Sequence, residues 1–174
     1  MIKDHTEGYY WQDDYYPDIN HVYKSKDYKY DVDVRLIDGC GDLVAPQRLE
    51  KSVEVLKEFE EKLPFKSFAI VSPLVPPHPC KEHNWIQLKG TMDYHDYGEF
   101  ILKYLHKYFD ARHVLLIQWD CFITNIDKWK DEFLDYDLVY TISDGCQDDN
   151  SEFIEDVQHF NGGLTLRSKK FCQS

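Results

Sequence analysis

Gln118-Trp119-Asp120 directly follows the apolar run Val114-Leu115-Leu116-Ile117. Such a run reads as a central strand covered on both faces, and open α/β sheets bind ligands at the carboxyl ends of their strands. A carboxylate there can hold Mg2+ or Mn2+, which take oxygen ligands, and the cation can bridge a diphosphate. The same aspartate can equally cap the turn into the next element, so the motif alone leaves both readings open. Asn161-Gly162-Gly163 is a second candidate. Paired glycines before a strand let backbone approach a ligand, and Asn161 can hydrogen-bond sugar hydroxyls; a plain turn is the simpler reading. The third is the acidic stretch 143–158. One of its carboxylates, with Asp148 and Asp149 as candidates, can act as a general base or second metal ligand, while most are solvated charges. His83, His95, His106, His113 and His159 show no ligand spacing; His113 begins a strand and reads as structural.

These residues need a scaffold, and from residue 31 the chain alternates strand and helix patterns. Residues 31–37 alternate as a strand, followed by the loop Asp38-Gly39-Cys40-Gly41-Asp42. Leu49, Val53, Leu56, Phe59 and Leu63 form one apolar stripe, which predicts a helix over 46–63 with proline in its first turn. Residues 68–71 make a buried strand, and prolines stop it. A helix is expected over 94–109 and a shorter one over 124–134, capped by Thr124. Further strands are expected at 138–142 and 164–166. Strands separated by helices predict one α/β domain, residues 31–174, with a mainly parallel central sheet and helices on both faces. Strands near Val34, Ile70 and Val139 are expected to flank the central one.

Residues 1–30 form a separate tyrosine-rich arm without helical or strand period. Its rings suit packing onto the domain; they equally suit an acceptor site, a partner or a second copy of the chain. Thirty-two acidic against twenty basic residues give a net charge of −12, which disfavours nucleic acid polymers. No apolar run approaches the roughly 20 residues of a membrane span. Five scattered cysteines without a C-x-x-C pair, and an amino terminus without an apolar leader, predict a cytoplasmic chain with reduced thiols.

Residues 113–129, His-Val-Leu-Leu-Ile-Gln-Trp-Asp-Cys-Phe followed by Trp129, then Glu132-Phe133-Leu134-Asp135-Tyr136-Asp137, then Asn161-Gly-Gly-Leu-Thr-Leu-Arg-Ser168, form an ordered series. Over residues 31–171 the chain resembles a glycosyltransferase-like family of GT-A type, first catalogued as a domain of unknown function. That family carries Gln-x-Asp-Gly-Phe and Asn-Gly-Gly-Phe-Ser-Leu-Arg motifs; Cys121 stands where the family has glycine. The resemblance implies a GT-A-like nucleotide-diphospho-sugar transferase sandwich. It implies transfer of a sugar from a nucleotide-diphosphate donor to a hydroxyl acceptor, assisted by Mn2+ or Mg2+. Asp120 would hold the metal, with Gln118 assisting or contacting ribose. Asp38 would lie near the base or ribose, and Asn161, Gly162 and Gly163 would line the sugar pocket. A non-catalytic sugar or nucleotide-sugar binding module, or an inactive subunit, is the alternative, because glutamine replaces the first aspartate of the metal motif.

Overall fold

Strand β1, Tyr30–Ile37, sends Val32, Val34 and Leu36 to one face of the sheet and Asp33 and Arg35 to the other. The computed structural model describes residues 15–39, 46–73, 84–147 and 153–174. It joins β1 to β2 (Phe65–Ser72), β3 (Trp85–Gln87), β4 (His113–Ile117), β5 (Leu138–Gln147) and β6 (Phe153–Ser168). The six strands lie in the order β3-β2-β1-β4-β6-β5. β1 to β4 run parallel, whereas β6 is antiparallel to both β4 and β5. The sheet is mixed and mostly parallel. All five residues of β4 are buried, as a central strand requires. Its neighbours are β1 and β6, so the strands holding Ile70 and Val139 stand one place farther out than expected.

Both faces are covered. Helix α1, Pro46–Lys62, sets Leu49, Val53, Leu56 and Phe59 against Val34, Leu36, Leu115 and Ile117. On the opposite face Phe100, Ile101 and Leu105 pack with Ala69, Val71, Val114 and Leu116. The expected helix over 94–109 is regular only in α2, Tyr94–Glu99, where Asp93 and Asp96 form a reciprocal capping box. It widens to a π turn at Phe100–Tyr104, tightens to a 3-10 turn at Leu105–Lys107, and brings the Phe100 and Tyr108 rings edge to face at 4.9 Å. A short helix, α3 (Lys169–Cys172), closes the chain. Among the described residues, no helix is long and apolar enough to cross a membrane.

The crossover from β4 to β5 departs most from expectation. Instead of one helix over 124–134 it holds two 3-10 turns, Ile126–Lys128 and Asp131–Asp135, separated by extended Trp129 and Lys130. Asn125, not Thr124, caps the first turn by accepting from the Asp127 amide at 2.9 Å. Breaking the helix lets Trp129 pack against Phe65 at 4.9 Å and Tyr30 at 5.6 Å between centroids. Aromatic burial outweighs a short, weakly propagating helix.

The described part of the arm is welded to the domain. Val22 is buried in the core, and Tyr15 and Ile19 pack against it. Lys24 bridges to Ser67 of β2, and Tyr30 opens β1. Within β1, Asp33 and Arg35 are both buried beside β4, opposite Val114 and Leu116. Arg35 donates to the Tyr108 carbonyl at 2.7 Å, and Asp33 accepts from the Asp110 and Ala111 amides at 2.9 and 3.0 Å. Burial lowers the Arg35 pKa, with Asp33 and Asp110 opposing that shift.

Candidate functional site

Strand order reverses beside β1: β2 and β3 lie on one side and β4 on the other. At such a switch point the loops after the two strands part, leaving a crevice outside their carboxyl ends. Here those loops begin with Asp38 after β1 and Gln118 after β4. A Cβ at Gly39 would stand 2.6 Å from the ends of the Leu88 and Met92 side chains, so any other residue there would require both to shift. The Gly39 carbonyl accepts from the Met92 amide at 2.7 Å, so the loop passes tightly over this segment.

Asp38 is fully buried and its carboxylate is engaged on both oxygens. Arg48 of α1 donates to Oδ1 at 2.6 Å, and the Ser52 hydroxyl donates to Oδ2 at 3.1 Å. The carboxylate therefore faces helix α1 and orients a guanidinium. Arg48 in turn lies over the Trp119 ring, 6.0 Å from its centroid. Asp38, Arg48 and Trp119 thus link the end of β1, the first turns of α1 and the end of β4. Sequence reading passed over Arg48 and Ser52. Their one signal is that residues at i and i+4 share a helix face.

After β4 the chain makes a tight turn, with the Cys121 amide donating to the Gln118 carbonyl at 3.0 Å. Trp119 and Asp120 stand at its exposed tip, and Gln118 is half-buried. The Cys121 sulfur accepts from the Gln118 amide at 3.3 Å, and its thiol donates to the Gly163 carbonyl at 3.2 Å. Burial raises the Cys121 pKa and nearby Asp120 adds to this, while the Gln118 amide opposes it. One thiol therefore ties the two distant motifs together.

Asn161-Gly162-Gly163 is not the turn before a strand. It lies inside β6, at an irregularity where Tyr140 pairs with Thr165 but Thr141 pairs with Asn161. Residues 162–164 are extra on β6. Glycines inside a strand mark such a bulge, where the ladder opens and the strand bends. Pairing of β6 with β4 ends at Thr165, so the bulge begins beside the turn that carries Asp120.

Asp148 and Asp149 lie outside the described residues. The acidic stretch around them belongs largely to the paired strands β5 and β6 rather than to one long loop. Arg167 is opposite Val114, near the amino end of β4, and donates to Thr165 Oγ1 at 3.3 Å. His113 is buried, with its ring Nε2 3.2 Å from the Tyr136 carbonyl oxygen, and burial lowers its pKa.

Among the described residues no three His, Cys, Asp or Glu side chains converge to hold a metal ion. Asp120 offers one exposed carboxylate in the turn after β4. That fits a Mg2+ or Mn2+ held mainly by phosphate oxygens and water, not by an all-protein cage.

No curated protein matches the chain. Residues 88–174 match a family described as protein of unknown function, DUF5672. The matched half of the chain holds β4, the Gln118–Cys121 turn, both partners of the β5–β6 pair and the glycine bulge. By that match the chain belongs to the DUF5672 family, whose members are of unknown function.

Proposed function

We propose that the protein transfers a sugar from a nucleotide-diphosphate donor to a hydroxyl acceptor, on a sandwich of the GT-A kind. The observation that carries this is the placement of Arg48, held by buried Asp38, over the ring of Trp119, the residue next to the exposed Asp120 in the turn after β4. A diphosphate suits this crevice. Arg48, held by Asp38, offers guanidinium N–H groups to phosphate oxygens. A divalent cation shared by Asp120 and the diphosphate would stabilise the charge developing on the leaving nucleoside diphosphate. Gln118 can hold a ribose or phosphate oxygen through its amide, and the Trp119 face offers a stacking surface. The bulge at Gly162 and Gly163 lets backbone approach the sugar. Asp148 or Asp149 would take the acceptor proton.

A non-catalytic nucleotide-sugar binding module is the second reading. It draws on the full engagement of Asp38, which leaves that carboxylate no role at the reacting atoms.

The test is calorimetric titration with a panel of nucleotide-diphosphate sugars, in Mn2+, in Mg2+ and in chelator, together with an assay for the released nucleoside diphosphate. The parent should bind at least one donor in a cation-dependent way and release its nucleoside diphosphate when an acceptor is supplied. Asp120→Asn should bind that donor about tenfold more weakly, with an unchanged melting temperature because its side chain is exposed. Equal binding by parent and variant would make Asp120 a turn residue and remove the reading. Cation-dependent binding without turnover would favour the module.

A further inference from the structure

The same broken crossover leaves a groove of about 500 Å³ against the β4-β6-β5 side of the sheet. Both 3-10 turns, Ile126–Lys128 and Asp131–Asp135, contribute residues to its lining. The floor is Leu115, Val139, Leu164 and Leu166, and the walls are aromatic, with Trp129 and Phe133 among them. We propose that this groove seats the ring system of a small aromatic alcohol, and that this alcohol is the acceptor.

Three features name the occupant. The volume lies within the usual range of small-ligand pockets, and the lining has their composition: apolar and aromatic walls with a few polar groups, here Thr124, Asn125 and Thr141. The lining contains no carboxylate in a chain with 32 acidic residues, and its one charged side chain is Lys128. A neutral or anionic occupant suits that field, whereas a cation finds no carboxylate in the lining. The groove also adjoins the turn after β4 along the chain. Phe122, 69% exposed, belongs to the lining and stands two residues beyond Asp120. Leu164 follows Gly163, whose carbonyl takes the Cys121 thiol. A ring lying on Leu164 and Phe122 therefore sits beside the two chain segments that carry Asp120 and the glycine bulge.

The assignment of the occupant as acceptor rests on the transferase reading; the groove's affinity for an aromatic alcohol does not. The full chain is titrated calorimetrically with 2-naphthol, and with 2-naphthylmethylammonium for comparison. Thr141→Trp fills the groove from an exposed strand position, and Phe122→Ala removes an exposed ring, so neither puts the fold at risk. Thermal melting verifies this. The parent should bind 2-naphthol saturably at one site and bind the ammonium analogue less tightly. Thr141→Trp should weaken 2-naphthol binding about tenfold and Phe122→Ala about threefold. Absence of saturable binding, equal binding by the parent and folded Thr141→Trp, or preference for the ammonium analogue would overturn the proposal. So would a dimer in sedimentation that Phe122→Ala dissociates, since a second copy would then occupy the groove. Saturable 2-naphthol binding in a chain that binds no nucleotide sugar would refute the transferase reading and leave the groove assignment standing. Sugar transfer to polar acceptors alone, without 2-naphthol binding, would do the reverse.

Discussion

The Cys121 thiol donates to the carbonyl oxygen of Gly163 at 3.2 Å, across 42 residues of chain. This bond fastens the turn after β4 to the bulge in β6. Removing it in Cys121→Ala should cost about 1 kcal/mol, the usual worth of one internal hydrogen bond. The denaturant midpoint should fall with an unchanged slope. The bond also has a pH signature. The folded thiol titrates above the usual value of 9.0, chiefly through burial. A raised folded pKa contributes stability that is complete below the unfolded value and lost as pH rises through the folded one. Cys121→Ser keeps a donor and removes that titration, so it should lose less stability than the parent as pH rises from neutral through the usual thiol value and above it. Melting curves across that range check this. Cys172, whose pKa burial also raises, is common to both chains and cancels.

Asp38 and Arg48 form a pair whose side chains are 0% and 13% exposed. Arg48→Met leaves the Asp38 carboxylate buried with Ser52 as its remaining described partner. The expected loss is about 3 kcal/mol, because one partner of a buried pair is left uncompensated. Asp38→Asn keeps a hydrogen-bond acceptor for Arg48 and should cost less stability. It should still weaken nucleotide-sugar binding, since the guanidinium is less firmly aimed. Parallel melting and donor titration of the two variants separate the structural share from the binding share.

Asp33 and Arg35 lie within β1 on the face turned away from α1, whereas Asp38 turns its carboxylate toward α1. Arg35→Ala should destabilise by about 3–5 kcal/mol and leave donor affinity per folded molecule unchanged. Hydrogen exchange should show early opening at the Asp110 and Ala111 amides, which Asp33 holds. Loss of donor affinity without loss of stability would place this pair in the functional machinery instead.

Deleting residues 1–30 takes Val22 and Tyr30 from the core and removes the bridge to Ser67. Losing a buried aromatic ring alone costs about 3–5 kcal/mol against a total of about 5–15. The truncated chain should melt early or fail to fold. Tyr30→Phe keeps the ring against Phe65 and Trp129 and should retain most of the stability. A truncated chain that melts like the parent would make the arm an appendage.

The sequence by itself determined the layer structure and the place of the candidate carboxylate. Uninterrupted apolar residues from Val114 to Ile117 made β4 central, and the stripe from Leu49 to Phe59 made α1 cover one face. Local periodicity encodes which side of an element is buried, so these were legible. Three features were not. The 3-10 crossover depends on Trp129 finding Phe65 and Tyr30, residues distant in sequence whose packing overrides local helix preference. Three-residue β3 carries too short a pattern to read, and the bulge at Gly162 and Gly163 arises only once β6 pairs with β5. Which groups meet at the crevice was likewise a tertiary outcome. Asp38 and Arg48 were visible as residues, but their contact requires α1 to fold back over the end of β1. Burial then decides the matter: a carboxylate removed from water must be paired, and Arg48 and Ser52 are the groups within reach.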